Sequence, residues 1–315
     1  MRIVFMGTPE FALPSLKALC DSAYEVVGVF TQPDRPSGRG HKLDSPPVKK
    51  LAQENGILVF QFERIRKQEG LDALRALKPD LVVTAAFGQI LSQKILDVPR
   101  LGTVNVHASL LPKHRGAAPI NWSVIMGDKT TGVTTMLTNA GLDTGDILLK
   151  TEVEIAPDET AGELTLRLAE AGAELLIKTI NLLEKGKIAP IKQDESLMSY
   201  EPMLDKALGK IDWTKDCISV HNLIRGVNPW PGAYTYLNGE TLKVWKARIT
   251  GEETTNARPG SITAASSKEG LKVACADGTI EILELQLPGG KRMQAKAYLS
   301  GKNIAINTVL GETNE

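Results

Sequence analysis

Short apolar runs alternate with longer helical patterns through the first half of the chain, and this alternation limits the possible folds more than any other feature. Ile3 to Met6, Val26 to Phe30, Leu81 to Ala85 and Val104 to Val106 are short, mainly apolar runs that read as buried strands. Helical periodicity fills the gaps, over Glu10 to Cys20, Val48 to Asn55, Gly70 to Leu77 and Ala118 to Met126. The pattern predicts an α/β domain: a doubly wound, mostly parallel sheet of Rossmann-like type, with helices on both faces and sites beyond the carboxyl ends of the strands. Asp146 to Ile155 reads as one more strand, and Thr160 to Leu183 as a long helix stopped by Gly186.

From Ile188 to about Lys210 the sequence becomes polar and irregular, with Pro190 and Pro202, which predicts a linker wrapping back over the first domain. The expected division is therefore a catalytic domain over 1–189, a linker over 190–210 and a second domain over 211–315. Thr241 to Ile249, Gly260 to Ala264, Leu271 to Ala276, Thr279 to Leu287 and Ile304 are short strand-like runs between Gly, Asn and Pro turns. Such spacing predicts a small barrel or sandwich. Residues 206 to 315 carry 14 basic and 11 acidic side chains, a net of +3 that fits either weak polyanion contact or an ordinary solvated surface.

The whole chain balances 37 Lys and Arg against 37 Asp and Glu, so no global charge excess points to a nucleic acid or a membrane. Any such partner must be met by a local patch. Cys20, Cys217 and Cys275 are far apart in sequence and lack the paired spacing of a zinc site or disulfide framework, so they read as buried thiols in a reducing compartment. The start of the chain lacks the basic flank and long apolar stretch of a leader, and no run of about eighteen apolar residues occurs. A soluble, cytoplasmic, monomeric protein with no membrane partner is expected.

The turn after the first strand, Gly7-Thr8-Pro9-Glu10, reads as a Thr N-cap with Pro at the first helical position. It lacks the spaced glycines that admit a dinucleotide pyrophosphate, and no loop ending in Lys-Ser or Lys-Thr offers a nucleotide phosphate site. A different ligand is expected. Thr103-Val104-Asn105-Val106-His107 alternates, which places Asn105 and His107 on one face at the end of a strand. Acyl transfer needs an amide donor for the developing oxyanion and an imidazole that moves a proton or supplies positive charge. Gly141-Leu142-Asp143-Thr144-Gly145-Asp146 sets an acid between glycines, which let a backbone approach a ligand. Singly, Asn105 could cap the next loop, His107 could be a hydrogen-bonded strand end, and Asp143 a turn acid. No ligand spacing supports a metal, and Ser109 lacks the elbow glycines of a serine nucleophile.

Together, Asn105-Val106-His107-Ala108-Ser109-Leu110-Leu111-Pro112 and Gly141-Leu142-Asp143-Thr144-Gly145 resemble the signature of the formyl-tetrahydrofolate transferases and hydrolases, in order and in separation. The resemblance implies 10-formyltetrahydrofolate as co-substrate, no metal, and Asn105, His107 and Asp143 as the catalytic trio. It also implies that Ser109, Leu110, Leu111 and Pro112 present their backbone to the folate, and that Phe87, Gly88, Gln89, Ile90 and Leu91 line the pterin pocket.

The acceptor amine is indicated by other segments. Phe30 to Leu43 resembles the insertion loop of the branch of that family that formylates methionine on initiator Met-tRNA, a Pro- and Gly-rich loop carrying Arg35, Arg39 and Lys42. Asn228-Pro229-Trp230-Pro231-Gly232-Ala233-Tyr234, preceded by Ile211-Asp212-Trp213, resembles the same branch's carboxyl-terminal domain, an oligonucleotide-type barrel that meets the tRNA. Lys206, Lys210, Lys243, Lys246 and Arg248 are the candidates for that surface. A formyltransferase for an amino sugar or a glycinamide nucleotide, a formyl-folate hydrolase, and a catalytically silent binding protein are the competing readings.

Overall fold

The computed structural model describes residues 1–37, 42–251 and 257–312. Strand β1 (Arg2–Gly7) forms where the first apolar run predicts it, and Ile3, Val4, Phe5 and Met6 are fully buried on its two faces. A strand covered on both sides needs no polar alternation, which is why the sequence shows a run rather than a period of two. β2 (Glu25–Thr31), β3 (Val59–Gln61), β4 (Leu81–Ala85) and β5 (Thr103–His107) continue the sheet in the parallel order β3-β2-β1-β4-β5. The chain winds outward from β1 on one side and then returns to the other. Strand order therefore reverses between β1 and β4, where doubly wound sheets hold ligands beyond their carboxyl ends.

Two further strands extend the sheet past β5. β6 (Thr130–Leu137) pairs antiparallel with β5, and β7 (Ile147–Glu154) pairs antiparallel with β6. The helices Leu13–Cys20, Pro47–Glu54 and Gln68–Ala76 bury Leu16 and Leu19, Val48 and Ala52, and Leu71 and Leu74 respectively. The 24-residue helix Ala161–Glu184 opens on a reciprocal cap. The Glu163 N–H donates to Thr160 Oγ1 at 3.2 Å, and the Thr160 N–H donates to Glu163 Oε2 at 2.9 Å. It ends at Gly186, whose φ of +60° lets the Gly186 and Lys187 N–H groups turn back to Leu183 and Leu182 carbonyls.

The first turn differs from expectation. Thr8 does not cap a helix: Pro9 holds the N-cap position of a short 3-10 turn, Glu10–Ala12, with no side-chain capping bond. The Thr8 hydroxyl donates instead to the Phe87 carbonyl at 3.0 Å, because the loop after β4 lies within its reach.

Contacts divide the chain into two units, Met1–Pro119 with Thr130–Glu154 and Thr165–Glu201, and Ile120–Lys129 with Ile155–Leu164 and Pro202–Glu315. Residues 190–201 of the expected linker thus group with the first unit. The second unit is an antiparallel β domain of strands β8 (Ala233–Leu237), β9 (Glu240–Ile249), β10 (Ile262–Ser266), β11 (Gly270–Ala274) and β12 (Thr279–Gln286), in the order β8-β9-β12-β11-β10. Trp213, Val244, Ile262, Ile280 and Ile282 fill its core beside the helix Cys217–Gly226. Asp216 caps that helix by accepting from the Ser219 N–H at 2.7 Å. Ile304, expected in a strand, lies in irregular chain after the short helix Ala295–Leu299. Among the described residues, no helix is long and apolar enough to cross a membrane.

Candidate active site

The end of β5 carries Asn105 and His107 on one face because side chains two apart on a strand share a side. Asn105 is half-buried next to Thr84, its register neighbour on β4. The Thr84 hydroxyl donates to Asn105 Oδ1 at 2.7 Å. With the oxygen turned to that hydroxyl, the amide nitrogen faces away from Thr84. Asn105 Nδ2, a double donor, makes no hydrogen bond among the described residues and is left for a ligand.

His107 is buried, and its Nε2 lies 3.0 Å from the His114 carbonyl. A carbonyl oxygen only accepts, so the Nε2 hydrogen is present and Nδ1 is the atom that faces Asp143. The separation from Nδ1 to Asp143 Oδ1 is 3.7 Å, within ion-pair range and longer than a hydrogen bond. The other carboxylate oxygen, Oδ2, accepts from the Gly116 N–H at 2.9 Å. Asp143 itself sits at a φ of +53°, a left-handed conformation that aspartate tolerates better than most side chains. The glycines beside it serve the loop's own packing. A Cβ on Gly145 would stand 1.6 Å from the Leu137 carbonyl, and one on Gly141 would stand 2.1 Å from Thr144 Oγ1.

The segment expected to meet the folate is held from behind by β6. Thr134 Oγ1 donates to the Ser109 carbonyl at 2.7 Å and accepts from the Leu111 N–H at 3.1 Å. Lys150 Nζ from β7 donates to the Leu111 carbonyl. Ser109 and Leu111 are fully buried, with Leu111 packed on Met136 and Ile147, whereas Leu110 and Pro112 are partly open. The backbone groups of Leu111 are thus already engaged within the protein.

The segment after β4 is similarly braced. The Phe87 carbonyl accepts from Thr8 and from Gln32 Nε2, and the Gly88 carbonyl accepts from Gln32 Nε2 at 3.0 Å. Phe87 is buried with Val4, Met6 and Phe30, and Leu91 packs on the same cluster, while Ile90 is exposed. Gln89 has a structural task, accepting from the Ile65 N–H at 2.7 Å and donating to the Phe62 carbonyl at 2.7 Å.

Several residues around the trio escaped the sequence reading. Besides Thr84 and Thr134, these are His114, Arg115, Gln193 and Glu201. His114 Nδ1 donates to Glu201 Oε1 at 2.9 Å, and both side chains are buried. Arg115, also buried, forks onto Glu195 at 2.7 and 2.8 Å, and that hydrogen-bonded guanidinium holds the Glu195 carboxyl below its ordinary range. Apart from the adjacent His114 and Arg115, they lie far apart in sequence and share no short-range pattern. The one available signal was the polar pair His114-Arg115 directly after the 109–112 segment, and both side chains are buried.

The basic candidates fare unequally. Arg35 pairs with Glu63 at 2.6 Å on the surface, in the ribbon Arg35–Ser37 with Lys42–Asp44. Arg39 lies outside the described residues, as does the side chain of Lys42. In the second unit Lys206 and Lys246 are exposed, Lys210 Nζ stands 5.9 Å over the Tyr236 ring, and Lys243 Nζ stands 5.5 Å over the Trp245 ring. Arg248 is bound at 2.6 Å to Glu281, a carboxylate only 2 % exposed, so its charge is committed to a buried partner. Among the described residues, no group of three or more His, Cys, Asp or Glu side chains is placed to hold a metal ion.

Residues 1–180 match the formyl transferase family and residues 203–303 match the formyl transferase C-terminal domain. The chain belongs to the formyl transferase family. This formyltransferase is 51% identical to the methionyl-tRNA formyltransferase of Acetivibrio thermocellus, over 99% of this chain and 100% of that protein. Solved relatives share the fold at lower identity. The N-formyltransferase from Helicobacter canadensis, in complex with folinic acid and dTDP-3-aminofucose, is 20% identical with a TM-score of 0.69 over 89% of this chain and 98% of that one. HypX from Aquifex aeolicus, in complex with tetrahydrofolic acid, is 18% identical with a TM-score of 0.63. The formyltransferase aligns over 95% of its own length and spans 47% of HypX.

Proposed function

We infer that this formyltransferase is a methionyl-tRNA formyltransferase, which moves the formyl group of 10-formyltetrahydrofolate to the methionine amine of initiator Met-tRNA for translation initiation. The observation that carries the acceptor is the reach of the likeness: both domains match, at 51% identity over 99% of the chain. The geometry supports the chemistry. The neutral amine attacks the formyl carbon, a C–N bond forms and the formyl oxygen becomes an oxyanion. Asn105 Nδ2, oriented by Thr84, is the donor for that oxygen. His107 adds its imidazole, and Asp143, 3.7 Å from Nδ1, balances the positive charge on the ring. When the intermediate collapses, the bond from the formyl carbon to the folate nitrogen breaks, and a proton lost by the amine ends on that nitrogen. Loss of one oxyanion donor costs about 2.7 to 4 kcal/mol of barrier.

Under this reading the partly open Leu110 and Pro112 and the exposed Ile90 are the apolar side chains that face the folate, with Ser109, Leu111, Phe87, Gly88 and Leu91 shaping the wall behind. Arg35, Arg39, Lys42, Lys206, Lys210, Lys243, Lys246 and Arg248 are the candidate phosphate contacts, and the enzyme works as a cytoplasmic monomer. Incubation of the purified chain with 10-formyltetrahydrofolate and Met-tRNA should yield formyl-Met-tRNA, and Lys243→Ala should flatten the logarithmic salt slope of the Michaelis constant for tRNA by about one unit. Formylation of an amino-sugar nucleotide with none of Met-tRNA would overturn the acceptor.

A further inference from the structure

Gln193 lies beyond the long helix, outside the signature motifs, yet it touches both catalytic loops at once. Its Nε2 donates to the Asp143 carbonyl and to the Gly145 carbonyl, each at 2.8 Å. Its Oε1 accepts from Arg115 Nε at 3.0 Å and from Nη2 at 2.8 Å. An amide has two hydrogens to give and one oxygen with two lone pairs, so every hydrogen-bonding position of this side chain is used. One arm holds the loop that carries the acid. The other holds the residue that follows His114, whose carbonyl binds the catalytic imidazole.

The segment that delivers Gln193 is itself anchored. Ile191 exchanges two backbone hydrogen bonds of 2.8 Å with Ile147 at the start of β7. Farther on, the Arg115 N–H donates to the Ser199 carbonyl at 2.9 Å, and Ser199 Oγ accepts from the His114 N–H at 2.8 Å. Gln193 thus spans the two loops from a fixed base. Asp143 needs such support, because it is held at a φ of +53° and its side chain makes no hydrogen bond to His107.

We propose that Gln193 is a positioning residue for formyl transfer, a cross-brace that sets the distance between the Asp143 carboxylate and the His107 ring. This rests on the reading of Asn105, His107 and Asp143 as the transfer machinery. The brace acts on the relation of acid to imidazole, and all four of its hydrogen bonds go to the protein itself. Its loss should therefore appear in turnover and in the ionisation of the pair, with substrate affinity preserved.

Two variants separate the arms. Gln193→Glu keeps an acceptor for Arg115 and removes the donors to Asp143 and Gly145; Gln193→Met removes both arms at similar length. Both should lower kcat by about 10- to 100-fold, as displacements of about 1 Å do, with KM for 10-formyltetrahydrofolate and for Met-tRNA within about twofold of wild type. The pH profile of kcat should shift in Gln193→Met. The ¹⁵N resonances of the His107 ring, read in the full-length protein without substrate, should move in both variants. Wild-type kcat with an unmoved His107 resonance in either folded variant would overturn the brace. So would a fall in kcat matched by an equal rise in both KM values, the mark of general disruption. If wild type itself transfers no formyl group while the His107 resonance still responds to Gln193, the brace stands and the functional reading fails.

Discussion

At the scale of single residues, the orientation of Asn105 depends on Thr84. In the proposed mechanism, turning the amide over would present Oδ1, an acceptor, to the forming oxyanion, and the 2.7 Å bond to the Thr84 hydroxyl keeps Oδ1 on the other side. Thr84→Val keeps the shape and removes the donor. It should lower kcat about tenfold and leave KM for the folate within about twofold, with stability changed by about 1 kcal/mol. Steady-state kinetics beside a thermal melt check this; unchanged kcat would show that the amide needs no such guide. Asn105 and His107 were legible because strand alternation is local, so two residues on one face can be read from spacing alone. Thr84 was not, since its partnership requires the register between β4 and β5. The same limit hid Thr8, a good N-cap by composition that finds a carbonyl 79 residues away.

Elements that alternate apolar runs with helices were read correctly in kind and nearly in extent, as β1, β2, β4 and β5 show. β6 was missed because Thr130-Thr131-Gly132-Val133-Thr134-Thr135 has little apolar signal, although Thr131, Thr134 and Thr135 are all buried. Its position, rather than its own composition, makes it a strand: it pairs between β5 and β7. That position also gives it a task. Thr134 holds the 109–112 loop through a bond in each direction, so Thr134→Val should loosen the loop. The expected outcome is a severalfold rise in KM for 10-formyltetrahydrofolate with a smaller change in kcat. Equal kinetics in the variant and wild type would mean that Lys150 and packing hold the loop without Thr134.

For the molecule as a whole, the buried ionisable groups of the second unit set how stability responds to its surroundings. Burial of His221, together with the nearby charge of Arg225, pushes its pKa below the ordinary value of 6.5, although Asp158 opposes the shift. Above 6.5 the ring is neutral in both folded and unfolded chains, and it contributes no pH dependence. Below 6.5 the unfolded chain takes up the proton first, so stability is lost as pH falls toward the folded value. His221→Asn should flatten that decline in a series of melts below pH 6.5, and parallel curves would remove the assignment. The thiols respond differently. Burial raises Cys217 to about 11 and Cys275 further, so they stay protonated and unreactive; these two are buried as expected, whereas Cys20 is only half-buried.

The sequence divided the chain at a change of composition, and the first family match ends at residue 180. Gln193, Ser199 and Glu201 all lie past that point, while their bonds run to Asp143, His114 and Arg115. A chimera with a relative's second domain therefore has its natural seam after Glu201. A seam at 180 would graft a foreign strap onto the native loops and leave the donor to supply their alignment.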